Sequence, residues 1–203
     1  MITLEQIYSV YGKRPVFDLA FVPCLNAAMQ QFGITKKEHV CAFLAMVLGE
    51  SMCFTHLSEN MNYSSADRIY AVFRSHFKSP DEAKQYVNQP QKLANFVYAG
   101  LYENGGVDSN DGWNYRGKGP CQLTFKGSYL NFFRYVGLPE STNPDYITTP
   151  KGGSDASAWF WKMNSCGTAC DSGGFDAVYK KFQPSMVGLA EHKVYYTNAM
   201  GIL

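Results

Sequence analysis

Apolar residues return every three or four positions along most of this chain, with polar residues filling the intervals. Val40, Phe43, Leu44, Val47 and Leu48 form the clearest stripe, the mark of an amphipathic helix. Further helical patterns run through about 17–31, 91–101, 126–136, 154–163, 174–182 and 188–200. Several starts carry their own signals. Thr3 with Gln6, and Thr35 with Glu38, read as capping boxes. Ser64 precedes the periodic run SADRIYAVF, and Ser79-Pro80-Asp81-Glu82 offers a cap, a proline suited to the first turn and acidic residues that favour the helix dipole. Period-two alternation is nearly absent, leaving one short extended piece at Cys121–Phe125. From Asn104 to Gly119 the periodicity gives way to Gly, Asn, Asp and Ser. A loop of that length in a compact helical protein is functional or disordered. The pattern predicts a mainly α-helical protein with a long loop and at most a small β element.

A chain of 203 residues supports one domain with a substantial core, or two lobes around a cleft, and no internal repeat or linker divides it. Lys and Arg number 18 against 17 Asp and Glu, a balance that gives no electrostatic reason to expect nucleic acid or an anionic membrane as partner. Aromatic residues reach 15%, a surplus that fills cores more often than it lines carbohydrate clefts. The opening MITLEQIYSVYGKRP lacks a basic segment followed by an apolar run, so no signal peptide is expected. No apolar stretch approaches the ~20 residues that span a bilayer. Cys24, Cys41, Cys53, Cys121, Cys166 and Cys170 show no paired zinc-ligand spacing, so free thiols are expected, with Cys41 in the core and no metal or cofactor.

Two stretches carry candidate chemistry. The first, DGWNYRGKGPCQLT at 111–124, resembles a phosphate-binding P-loop but fails its requirements. Gly119 and Pro120 stand where a hydroxyl and a helix start belong, and the preceding YENGGVDSND is no buried strand. DSNDG likewise mimics a calcium loop with its glycine one position early. The second stretch holds two carboxylates. Glu50 closes the apolar helical stripe, where partial burial raises a carboxyl pKa and suits a general acid. Glu59 follows nine residues later in the polar SENMNYSS, a setting for an ionised base. Paired carboxylates in contrasting environments are what glycoside hydrolysis needs. From spacing alone, a Glu50 that merely ends a helix and a solvated loop Glu59 are the favoured reading.

Taken together and in order, GES…LSENMNYS, DGWNYRGKGPCQLT and SAWFW resemble the motifs of glycoside hydrolase family 19, the chitinase-like enzymes. They are most similar to its bacteriophage endolysin branch, with HES…LEENLNYS and GDGWRYRGRGLIQLTG. The similarity runs from about Gly33 to the end of the chain. It implies a lysozyme-like, two-lobed helical fold, with residues 1–203 as a single catalytic domain. It also implies inverting hydrolysis of β-1,4 links in peptidoglycan or a chitin-like glycan. On the matching positions Glu50 is the general acid, Glu59 the general base, and Thr124 helps hold the attacking water. Tyr115, Arg116 and Gln122 contact sugar or shape the cleft loop, while Gln183 stands in for a substrate-contacting Asn. Apart from the resemblance, the position of Trp113 in a loop fits a cleft role as well as a structural one. Inversion leaves ~6.5–9.5 Å between the carboxyl groups for a water.

Three departures stand out. The family's His before the acid is Gly49, and its following Gly-Gly is Met52-Cys53. Near the end FQPSMVGLAEHKVYY replaces INGGxNGLADRRxYY, so Gln183-Pro184-Ser185 stands at an Asn-Gly-Gly turn and His192-Lys193 at an arginine pair. Trp159 and Trp161 are expected in the core, and His39, His56 and His76 are read as surface or capping residues. The expectation is a monomeric endolysin made in a host cytoplasm and reaching the wall through a holin-type membrane lesion. A true chitinase and a silent wall- or chitin-binding module are the alternatives.

Overall fold

The computed structural model describes residues 1–203, almost entirely as helices and turns. The Thr3 box forms in full: Gln6 N–H donates to Thr3 Oγ1 (3.2 Å) and Thr3 N–H to Gln6 Oε1 (2.9 Å), starting α1 (Leu4–Tyr11). After α2 (Phe21–Gln31), the Thr35 box does not form. Helix α3 (Lys37–Glu50) begins with no side-chain cap, and its stability comes from burial instead. Cys41 through Leu48 are all 1% exposed or less, so the helix is apolar on every face, and Val40 is only half-buried. The amphipathic stripe is therefore wider than its periodicity suggested. Each large side chain so buried contributes about 1.5–3 kcal/mol.

Next come α4 (Ala66–Val72), α5 (Pro80–Ala83), α6 (Pro90–Val97), α7 (Asp111–Asn114) and α8 (Lys126–Tyr135). Ser65 rather than Ser64 caps α4, accepting from Arg68 N–H. Pro80 opens α5 as expected, but Ser79 makes no side-chain cap there. The 104–119 segment is more ordered than its composition indicated: it contains a 3-10 turn (Val107–Ser109) and α7, which carries Trp113. The extended piece at 121–125 amounts to isolated antiparallel bridges, Ser58 with Lys118 and Lys118 with Leu123. Last are α9 (Pro150–Met163), capped by Thr149 Oγ1 on Gly152 N–H, α10 (Cys166–Phe182), kinked at Gly174, and α11 (Leu189–Ile202).

The chain divides into two compact units. Unit 1 comprises Met1–Leu57, Gly119–Gln122 and Tyr146–Leu203; unit 2 comprises Ser58–Lys118 and Leu123–Asp145. In unit 1, α3 packs against α1, α10 and α11, and α2 against α9. Trp161 meets Phe43 edge-on at 5.8 Å, and Trp159 and Trp161 are both buried as expected. Cys41 belongs to this core, and Cys166 and Cys170 are free and buried. His39 is not a surface residue: it is 8% exposed, with Nε2 2.8 Å from Asp171 Oδ1. Unit 2 has a smaller core of Met61, Ile69, Leu93, Ala94, Val97 and the rings of Phe77 and Tyr86. There α7 lies directly on α6 because Gly112 has no side chain; a Cβ would stand 2.4 Å from the Ala94 carbonyl oxygen. No helix is long and apolar enough to cross a membrane.

Candidate active site

Glu50 is the last residue of α3. The chain then turns through Met52, Cys53 and Phe54, all at positive φ (46°, 54° and 64°). Left-handed backbone costs a residue with a Cβ about 1–2 kcal/mol, so strain accumulates beside the carboxylate. Ser51 secures the turn, with Oγ accepting from Phe54 N–H at 2.8 Å. Burial pushes the Glu50 carboxyl above its usual pKa, opposed in smaller part by the charge of His192. The raised value anticipated for a general acid is present, and desolvation is its main cause.

His192 is the neighbour that the sequence did not reveal. Its imidazole is 8% exposed, and Nε2 lies 3.5 Å from Glu50 Oε1. That approach is too long for a good hydrogen bond, so Nε2 is buried without a hydrogen-bond partner. Nδ1 is 3.1 Å from the Gly188 carbonyl oxygen; a carbonyl only accepts, so Nδ1 carries the proton. The ring occupies the space beside Gly49, where a Cβ would fall 2.3 Å from His192 Nε2. The Gly49 and His192 departures are thus one feature, visible in the sequence only as two unlinked substitutions.

Glu59, in unit 2, sits differently. Tyr98 Oη donates to Glu59 Oε1 and Oε2 (2.8 and 3.0 Å), and Gly117 N–H donates to Oε2 (3.2 Å). The backbone is fixed as well, with Glu59 N–H on the Gly117 carbonyl (2.7 Å) and Arg116 Nε–H on the Glu59 carbonyl (3.2 Å). Burial and the adjacent carboxylate raise the Tyr98 phenol well above its ordinary pKa, so it remains a donor. Tyr98 was missed because nothing local links it to a residue 39 positions earlier.

Of the other expected residues, unit 2 holds Trp113, Tyr115, Arg116 and Thr124, and Arg116 touches Glu59. Arg116 lies over the Trp113 ring at 3.7 Å and donates from its guanidinium to the Trp113 carbonyl (2.7 Å). Burial lowers the Arg116 pKa. Tyr115 is half-buried, edge-on to Tyr129 at 5.2 Å. Thr124 is half-buried in the same unit, between Leu123, which pairs with Lys118, and Phe125, whose N–H donates to the Tyr115 carbonyl. Buried Lys118 pairs with Asp145, so the lysine that suggested a P-loop is occupied by an aspartate. Gln122 belongs to unit 1, its amide donating to the Gly119 carbonyl at 3.1 Å. Gln183 follows α10, with Oε1 accepting from Ser185 Oγ at 3.0 Å; its amide is engaged within its own turn.

No family model matches the sequence. A glycosyl hydrolase family 19 domain-containing protein of Haemophilus influenzae is 31% identical over 179 residues, 87% of this chain and 86% of that protein. Two endochitinases of Arabidopsis thaliana are also similar. One is 35% identical over 54 residues, 26% of this chain and 19% of its own length. The other is 25% identical over 146 residues, 71% of this chain and 40% of its own. Among solved structures, a family GH19 class IV chitinase from Zea mays shares the fold with a TM-score of 0.55 and 17% identity, covering 98% of this chain and 91% of that one. The shared architecture is mainly α-helical and lysozyme-like. Similarity of that extent to the Haemophilus protein settles the family: the chain is a chitinase-like glycoside hydrolase belonging to glycosyl hydrolase family 19.

Proposed function

We propose that the protein is a phage-type endolysin that hydrolyses β-1,4-glycosidic bonds of bacterial peptidoglycan with inversion. Glu50 protonates the leaving oxygen as the glycosidic C–O bond breaks. Glu59 takes a proton from the water that attacks the anomeric carbon, and Thr124 helps hold that water. Trp113, Tyr115, Arg116, Gln122 and Gln183 contact the glycan. The protein acts as a monomer, accumulates in the host cytoplasm and reaches the wall through a holin-type lesion. The observation that supports this reading is the contrast between the carboxylates: Glu50 is desolvated with a raised pKa, and Glu59 accepts from Tyr98 and Gly117. A desolvated carboxyl and a hydrogen-bonded one are environments suited to the acid and the base of a glycosidase.

Turbidity loss of outer-membrane-permeabilised Gram-negative cells tests the proposal, with wild type beside Glu50→Gln and Glu59→Gln. Wild type clears the suspension, and each variant loses at least about 100-fold, the usual worth of a proton-transfer group. The products are released as the inverted anomer. A chitinase is the second reading, favoured by the likeness to the Arabidopsis endochitinases and the Zea mays chitinase. Cleavage of soluble chitin oligomers without clearing of walls establishes it instead. Wall binding with no turnover of either substrate overturns both.

A further inference from the structure

We propose that His192 is the positioning residue for the general acid, so that Glu50 works as one half of a carboxyl–imidazole pair whose ring is delivered from α11 into the space left by Gly49. This rests on the assignment of Glu50 as the acid. Three observations carry it. The ring fills the volume that any side chain at position 49 would need. Its Nδ1 is tied to the Gly188 carbonyl. Its Nε2 is buried, makes no hydrogen bond, and faces Glu50 Oε1 at 3.5 Å. A nitrogen so placed, a few tenths of an ångström beyond hydrogen-bonding range, takes or gives one proton according to the state of Glu50. When Glu50 passes its proton to the leaving oxygen, Nε2 takes up a proton from solvent, faces the carboxylate left behind as its donor, and passes that proton to Glu50 before the next turnover. The resemblance placed a histidine on α3, immediately before the acid; here an imidazole reaches the same carboxyl from a different helix.

Other groups around the ring are accounted for. From α10, Tyr179 lies edge-on to it at 4.9 Å with its hydroxyl donated to the Val187 carbonyl. On α11, Tyr195 is 6.1 Å away between centroids and donates to Glu191 Oε1 at 2.9 Å. From α3, Glu50 is the charged group facing Nε2.

The test compares wild type with His192→Gln and Gly49→Ala in two measurements. The first is the pH profile of kcat on permeabilised walls or chitin oligomers. Without the imidazolium charge the Glu50 carboxyl holds its proton to higher pH, so the alkaline limb moves upward while kcat falls about 10- to 100-fold, as for a slightly misplaced catalytic group. Gly49→Ala, whose methyl displaces the ring, reproduces the shift. A merely structural histidine lowers kcat and leaves the limb in place, which overturns the proposal. The second measurement needs no activity. The His192 ring nitrogens are followed by NMR through a pH titration, and their midpoint moves when Glu50 becomes Gln. An unchanged midpoint overturns the pair even if Glu50→Gln abolishes turnover. A moved midpoint together with full turnover by Glu50→Gln supports the pair and removes Glu50 as the acid.

Discussion

The two units hold their carboxylates by different physics. Unit 1 presents Glu50 from the end of a helix whose preceding eight residues are sealed in a core of Phe43, Leu44, Met46 and Leu48. The carboxyl meets apolar surface and a single ring. Unit 2 presents Glu59 from a segment outside any helix, fixed by donors from Tyr98, Gly117 and Arg116. Its helices are short, and side-chain hydrogen bonds do much of the joining. Asn110 Oδ1 accepts from Gln91 and Asn95, while Asp111 Oδ2 accepts from Gly105 N–H and Lys126. Packing positions a group through volume and leaves it desolvated; hydrogen bonds position a group through direction and leave it solvated by the protein. The two supports suit opposite needs: desolvation favours a protonated carboxyl, and donated hydrogen bonds favour an ionised one.

Breaking each support separately sharpens the contrast. The largest effect is expected in the core below Glu50. Phe43→Ala removes a fully buried ring in contact with Trp161 and costs about 3–5 kcal/mol, measured by urea unfolding. Removing one hydroxyl in unit 2 costs less. Tyr98→Phe leaves the Glu59 carboxylate with the Gly117 N–H as its donor and lowers stability by about 1–2 kcal/mol, within the range for bonds to charged groups. The two losses should add, because no partner is shared.

Smaller and opposite in sign is Met52→Gly. Met52 holds φ 46° with its side chain 53% exposed, so glycine relieves strain without opening a cavity and raises stability by about 1 kcal/mol. The smallest effect is a pH slope. The folded state raises the pKa of Glu50, so the native protein binds this proton more tightly than the unfolded chain does. That preference stabilises fully below the ordinary carboxylate pKa of about 4.3 and is lost as pH rises through the folded value. Glu50→Gln, blind to that titration, should therefore gain in melting temperature relative to wild type as pH is raised from 4 to 8. A constant difference would mean that burial does not govern this carboxyl.

The sequence was most informative where the physics is local. The Thr3 box, the burial of Cys41 and Trp161 and the proline opening α5 all follow from residues a few positions apart. Thr35 misled because a helix buried on all sides forms without its cap. The Asn104–Gly119 composition concealed α7, whose close seat on α6 depends on Gly112 meeting Ala94. Family motifs pointed to both carboxylates, but Tyr98 and the site of His192 are tertiary facts. A hydroxyl aimed at Glu59 and a ring seated at Gly49 leave no periodic trace.

The order of the chain has a consequence for synthesis. The wall of unit 1 that confronts Glu50 is α11, which also anchors to α1 through Asn198 Nδ2 donating to the Val10 carbonyl, 188 positions away. Contacts so distant form late, after the intervening chain has been made and its loop closed. On a ribosome, the face of α3 that packs on α11 therefore stays uncovered until α11 emerges. His192 arrives with that helix, so until α11 is made a nascent chain carries Glu50 without the imidazole that faces it when folded. The setting of the Glu50 carboxyl is complete only once α11 has packed on α3.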